Sequence, residues 1–373
     1  MSEKILDKVI VDSPGRINII GEHTDYNLGY VLPTAIDKRI RFTLERNNTD
    51  TRCEIRSKGY EKALIVDLEH IVPSTTQWEN YILGVLYEIS KRTNKIEGFQ
   101  CSIESDLPVG SGVSSSAALE CGLAFGLNKL FDLGLSKYEI AVLCRDAEHN
   151  YIGTKCGIMD QFASIMSKKD HVIFLDCKSM EYTHVPFNVT PYKLVLLNSN
   201  VSHNLAGSEY NTRRKECEEG VAILQKKYPS VASLRDATLD MIATCKADMS
   251  PKVLDRCTFV VEENDRVLAA VEALKKDDLK TLGALMYQTH EGLHYLYEVS
   301  CPELDFLVEF TKNVKEVLGA RLMGGGFGGC TLNLVHKDAA EVFIKDVSLA
   351  YEKEFKLKLT YFEGHPSAGT TLL

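Results

Sequence analysis

No C-x-x-C pair occurs among the eleven cysteines of this 373-residue chain, and their spacings follow no framework. That argues against a structural zinc site and against a disulfide-stapled scaffold. Most stand in apolar surroundings, as at Cys101, Cys121 and Cys144, where a free thiol behaves as a small core side chain. No uninterrupted apolar run is long enough to span a bilayer, and the opening MSEKILDKVI has no basic stretch followed by an apolar one. A reducing cytoplasm is therefore the expected compartment, with no membrane partner. Positive charge is also in short supply: 43 lysines and arginines face 52 acids, for a formal net charge of −9. That balance gives no general attraction to nucleic acid. Short basic spots such as Lys226–Lys227 read as solvated helix faces. A monomer acting on small molecules is the expected state.

What remains is ordinary globular composition, 45% hydrophobic and 25% charged, and a length at which two domains are expected. Alternating or apolar runs predict strands at 17–20, 39–46, 52–57, 99–105, 171–177 and 192–198, with two more at 317–322 and 330–335. Between them, Trp78, Tyr81, Ile82, Val85, Leu86 and Ile89 form one apolar face of a helix. Ser136 with Glu139 is a capping-box signature, and a helix over 117–131 is apolar nearly all round. Further helices are predicted at 208–228, 259–275, 278–292, 303–318 and 338–353. The alternation is too irregular for a doubly wound sheet, so the expected class is α+β. The two prolines of VPFNVTPY place the boundary near 185–192, giving domains 1–188 and 189–373.

Three segments carry chemistry. In LPVGSGVSSSAALE (107–120), glycines at 110 and 112 allow positive φ and close approach of an anion. Serine hydroxyls and the positive end of the following helix would add donors. This stretch is neither a P-loop nor a G-x-G-x-x-G, and taken alone it fits a phosphate cradle and a tight packing loop equally. SPGRINIIGEHTDYNLG sets Arg16 before a strand and Glu22, His23 and Asp25 just after it. Carboxylates accept two bonds each and imidazole gives or takes one, which suits a polyol better than a metal. MGGGFGGC (323–330) places five glycines among eight residues between two strands, a cost in stability unless backbone must pass close to something.

Together these segments resemble the three motifs of the GHMP kinase superfamily, whose members phosphorylate small molecules with ATP, and within it they resemble the galactokinases. AEHNYIGTKCGIMDQF (147–162), SNVSHNLAGSEYNTRR (199–214) and YEVSCPELD (297–305) are similar to family segments as well, so the likeness runs from about residue 13 to 336. It implies two domains, a mixed-sheet N-terminal one and an antiparallel-sheet C-terminal one with helices, and an active site between them. It implies ATP-dependent transfer to the anomeric hydroxyl of galactose, with N-acetylgalactosamine, arabinose or galacturonate as rival sugars. A sugar- and ATP-sensing regulator is the non-enzymatic alternative.

Carried over residue by residue, the catalytic aspartate falls on Asp160 and its partner on Arg16. Sugar contacts fall on Glu22, His23, Thr24, Asp25 and Tyr210. Magnesium ligands fall on Ser116 and Glu148. Nucleotide contacts fall on Gly110, Ser111, Gly112, Val113, Ser114, Ser115 and Ser116, on Trp78 and Tyr81, and on Ser57. From the residues alone, Trp78 and Tyr81 also fit plain core packing, Asp160 a helix cap, Glu148 a solvated acid and Tyr210 an amphipathic side chain. The chain departs from many relatives at His294, Tyr295 and Leu296, where an acidic pair is common.

Overall fold

The computed structural model describes residues 6–108, 110–202 and 206–373. Its largest sheet is built on one long hairpin, Lys8–Asn18 against Pro33–Arg46, running antiparallel from Lys8↔Glu45 to Asn18↔Pro33. The sequence suggested a strand only over 17–20, leaving Pro14 and Gly15 outside it. The strand instead continues through these two residues as a bulge between Pro14 and Arg16. Gly15 is required there: a Cβ would lie 2.4 Å from Leu107 Cδ2 and 2.9 Å from the Val113 carbonyl. The glycine thus lets the 107–116 loop cross directly over the strand that carries Arg16.

Phe99–Ser105 pairs antiparallel with the hairpin, and Arg52–Ser57 joins it in parallel, followed by Leu64–Asp67. A parallel neighbour needs a crossover, and the helix Gln77–Ser90 lies within it. The sheet is accordingly mixed. A second sheet is wholly antiparallel, in the order Val317–Leu322, Gly328–His336, Tyr192–Ser202, Thr360–Glu363. A small third sheet joins Tyr30–Val31, His171–Asp176 and Tyr182–Pro186. The last strands of the 189–373 half, Pro366–Ser367 and Thr371–Leu372, return to the first sheet. Apolar packing is likewise continuous across that division, with Val267, Leu282 and Leu332 in one buried cluster with Val11 and Phe42.

The helix predicted to be apolar all round is Ser115–Leu130, and it is sunk against the hairpin. Gly122 and Gly126 make the contact: a Cβ on them would sit 2.1 Å from the Phe42 ring and 2.6 Å from Leu44. The capping box opens Lys137–Ala147 as its sequence signature implied. The helix expected from 259 starts earlier, at Pro251, because Ser250 caps it and proline fits the first turn. The helix expected over 303–318 ends at Lys312, and the strand Val317–Leu322 follows. Here the pairing with Gly328–His336 overrides helical periodicity. All eleven cysteines are free, and no described helix is long and apolar enough to cross a membrane.

Candidate active site

Two cavities meet at one ion pair. Arg16 leaves the bulge with its side chain buried. Nε donates to Asp160 Oδ1 at 2.7 Å and Nη2 to Oδ2 at 2.9 Å, a bidentate pair. Its third nitrogen donates to the Gly112 carbonyl at 2.6 Å, and its backbone N–H to the Val113 carbonyl at 3.0 Å. Burial would weaken the guanidinium charge, but Asp160, Glu22 and Asp25 outweigh that and hold its pKa above the usual arginine value. Asp160 stands in the first turn of Met159–Met166, with Ile158 at the cap position, so its carboxylate faces Arg16 rather than capping the helix. Ser114 donates to the same carboxylate at 2.5 Å. Ser114 holds φ 56°, a left-handed conformation costing about 1 kcal/mol or more for a residue with a Cβ.

The glycine–serine loop wraps the start of Ser115–Leu130. Gly110 and Gly112 have φ 72° and 73°, so their predicted freedom is used. Ser111 is fully buried and donates to the Pro108 carbonyl at 2.7 Å, a bond internal to the loop. Ser116 donates to Glu148 Oε1 at 3.2 Å, which also accepts from Gln161 Nε2 at 3.2 Å. Glu148 is not a surface acid: the chain widens into a π turn at Glu148–Ile152 and buries it. Burial first, then the charge of Asp160, push its pKa up to about 7. One helical turn beyond Ser116, Glu120 is fully buried with neither oxygen hydrogen-bonded, and burial and Glu148 push it up as well. An oxygen-only donor set in a crowd of acids suits a hard dication such as magnesium.

From Asp160 a cleft of about 460 Å³ runs outward past the loop to Ser57, Tyr60, Trp78 and Tyr81. Trp78 leans on Tyr60, their rings 4.7 Å apart, and its buried indole N–H has no partner. Ile103, Leu107 and Leu119 supply apolar wall. Sequence reasoning missed Lys58 and Tyr60, which sit in a short turn beyond a strand and show no pattern of their own.

On the other side of the ion pair lies a tighter cavity of about 50 Å³, touched by Glu22, His23, Asp25 and Tyr210. Asp25 accepts from the N–H of Tyr26 at 2.9 Å and of Met159 at 3.4 Å. Burial, then Asp160, raise its carboxyl to about 7. Gly157 must be glycine, since a Cβ would fall 2.0 Å from Asp25 Oδ2. His23 has φ 61° and its Nδ1 lies 2.9 Å from the Tyr26 hydroxyl, while Nε2 is buried without a partner. Burial lowers its pKa to about 4, leaving it neutral. The Tyr210 ring lies 5.2 Å from the imidazole. Glu22 Oε1 accepts from the Gly324 N–H at 2.8 Å and from the fully buried Arg321 at 3.0 Å. The third motif therefore passes close to the first, as its glycines implied, and Gly325 borders both cavities.

Thr24 is not brought in. Its hydroxyl sits 2.9 Å from the Gly21 carbonyl and 2.6 Å from that of Tyr30, stapling the turn, and it borders neither cavity. His294, Tyr295 and Leu296 form a π turn away from both cavities, with His294 2.8 Å from Asp305. Part of the segment 199–214, at 203–205, lies outside the described residues. Arg321, Gly157 and Gln161 were missed as individual residues, although each lies in or beside a segment singled out for its glycines or its aspartate.

Residues 3–46 match the galactokinase galactose-binding signature, 80–168 the GHMP kinases N-terminal domain and 270–353 the GHMP kinases C-terminal domain. A galactokinase of Thermosipho africanus is 41% identical over 97% of this chain and 99% of its own length. One from Thermotoga neapolitana is 44% identical over 95% and 97%. The crystal structure of Lactococcus lactis galactokinase complexed with galactose superposes with a TM-score of 0.94 at 32% identity, covering 99% of this chain and 96% of that one. A mevalonate kinase at 19% identity and TM-score 0.67 shares the fold. With the fold, the three motifs and these full-length relatives in agreement, the chain belongs to the galactokinase family of the GHMP kinases.

Proposed function

We propose that the chain transfers the γ-phosphoryl group of ATP to the anomeric 1-hydroxyl of D-galactose, giving galactose 1-phosphate and ADP. The observation that carries this reading is the meeting of a long cleft and a small polar cavity at the Arg16–Asp160 pair. A triphosphate in the cleft and a sugar in the cavity would place acceptor oxygen and phosphorus on either side of it. Phosphoryl transfer asks mainly for alignment and for neutralised charge.

Each residue then has a task. Trp78 and Tyr60 would hold the base by stacking, with Ser57 and Tyr81 beside it. Loop N–H groups over 110–116 and the helix end, worth about half a positive charge, would receive the phosphates. Ser116 and Glu148 would hold magnesium, which when bound neutralises charge on the phosphate oxygens. Asp25, Glu22, His23 and Tyr210 would read the sugar hydroxyls. His23, being neutral, has a free Nε2 that can accept one or donate to one, according to its tautomer. Asp160 would take the proton of the 1-hydroxyl as its oxygen bonds to the γ-phosphorus and the bond to the β-phosphate oxygen breaks. Arg16 would keep Asp160 oriented and meet charge developing on the transferred group.

A coupled assay of ADP release over galactose, N-acetylgalactosamine, arabinose and galacturonate tests this. Galactose should have the highest kcat/KM. Asp160→Asn keeps the shape of the site and should lower kcat by roughly 10²–10⁴-fold with galactose affinity retained. Turnover near normal in that variant removes Asp160 from the reaction. Binding of galactose and ATP without turnover in the unaltered protein would instead favour a sensing role.

A further inference from the structure

The loop Gly21–Tyr30 has bonds of its own, through Thr24 above all, but it also holds conformations that need support from outside it. His23 and Leu28 both carry positive φ, at 61° and 57°, although neither is glycine, and such conformations persist only where the surroundings over-determine them. Both ends of this loop touch one turn of a distant helix, Pro251–Lys275. At the near end, the N–H of Gly21 donates to Glu263 Oε1 at 2.8 Å. At the far end, the N–H of Tyr30 donates to Asn264 Oδ1 at 2.9 Å. Neither contact leaves room for a side chain on the loop. A Cβ on Gly21 would lie 2.9 Å from Val267 of the same helix, and one on Gly29 only 2.4 Å from Asn264 Oδ1.

Glu263 is itself fixed. It is fully buried and accepts from Thr289 at 2.9 Å and from Arg266 Nε at 2.7 Å, so Gly21 meets an acceptor that has no freedom to turn away. Asn264 is buried as well, and neither residue borders the sugar cavity or the nucleotide cleft.

We infer that Glu263 and Asn264 are positioning residues for sugar binding, a two-point clamp that sets where Glu22, His23 and Asp25 stand. The inference rests on the reading of Gly21–Tyr30 as the sugar site. The clamp bonds to the ends of the sugar-side loop, and none of the hydrogen bonds of Glu263 and Asn264 named above goes to the 110–116 loop. Its loss therefore weakens galactose binding without weakening binding of ATP.

Galactose and a non-hydrolysable ATP analogue are titrated separately by calorimetry into Asn264→Ala, with Asp25→Ala alongside. Asn264→Ala should weaken galactose by about tenfold or more, the effect of a lost hydrogen bond and a stranded N–H, with the analogue within about twofold of normal. Equal losses for both ligands would mark Asn264 as a general packing residue and overturn the clamp. Unchanged galactose affinity in Asn264→Ala, with affinity lost in Asp25→Ala, would overturn it too. Unchanged affinity in both would overturn the sugar-site reading beneath it. Should Asn264→Ala fail to fold, Gly29→Ala strikes the same contact from the loop side and is judged by the same outcomes.

Discussion

Burial and the nearby Asp160 raise the Asp25 carboxyl to about 7, well above its ordinary 3.8. Sugar hydroxyls donate to its ionised form, so galactose affinity should fall as pH drops through about 7. The KM for galactose should accordingly rise on acidification, and Asp25→Asn should abolish that dependence together with most of the affinity. A KM that stays flat across this range in the unaltered protein would sink the assignment. Stability moves the other way. A carboxyl raised in the folded state costs stability above about 7, and the cost fades as pH falls toward its ordinary value. Glu148, also raised to about 7, adds to that trend. His23 opposes it below 6.5, since a histidine lowered to about 4 loses stability as the unfolded chain takes up protons first. At this scale the site holds titratable groups where burial disfavours their charged forms, a common condition at functional sites.

The elements position these residues through contacts that leave no room. The helix Ser115–Leu130 reaches the hairpin at Gly122, where a Cβ would lie 2.1 Å from the fully buried Phe42 ring. Alanine is the better helix former by about 1 kcal/mol, but overpacking a site with no slack costs about 1–3 kcal/mol. The clash should win. Gly122→Ala should therefore lower the urea midpoint, while the folded enzyme keeps a near-normal KM for ATP. Gly110 is the contrast: among the described residues nothing beyond its chain neighbours lies within 4 Å of its Cβ position, yet φ is 72°. Alanine there disturbs loop geometry, for about 1 kcal/mol, which corresponds to roughly fivefold in a binding constant. Its effect should appear in the KM for ATP rather than in unfolding. Two glycines twelve residues apart, one in the loop and one on the helix that follows it, thus separate packing from function.

Over the whole molecule, the tail closes the fold on the reacting centre. Thr370 is fully buried, its hydroxyl 3.0 Å from that of Ser13 and 2.9 Å from the Ser164 carbonyl. Ser13 lies on the strand of Arg16 and Ser164 on the helix of Asp160. Leu373 and Gly369 add backbone bonds to Ile10 and Ser167. The C-terminal residues therefore tie together the two elements whose side chains form the ion pair. Thr370→Val keeps the volume but removes the hydroxyl's bonds, at about 1 kcal/mol each. Ser13 keeps Ser164 Oγ at 3.3 Å, and the Ser164 carbonyl keeps the Thr370 N–H at 2.7 Å. Thermal unfolding should shift down by a few degrees as one transition. A separate early transition would show the tail to be an independent appendage.

Much of this could be read from the chain alone, and for a definable reason. The capping box at Ser136, the apolar Ser115–Leu130 helix and the glycines needing positive φ are properties of neighbours in sequence. So are the three motifs and the segment 147–162, whose resemblance to the family is why Arg16, Asp25, Ser116 and Asp160 could be named from the chain alone. Register and side-chain direction are not local. Arg16 and Asp160 meet across 144 positions and Gly21 and Glu263 across 242, distances over which periodicity carries no information. Thr24 shares a motif with Asp25 yet faces the other way, because the Gly21 and Tyr30 carbonyls sit within reach of its hydroxyl. Tyr60 joins the cleft only because its turn folds onto Trp78, and Pro14–Gly15 continues a strand only because a loop crosses there. The sequence by itself determined which chemical groups this protein has and what local backbone each segment prefers. The tertiary structure decided which of those groups face one another, since that depends on packing between segments far apart in the chain.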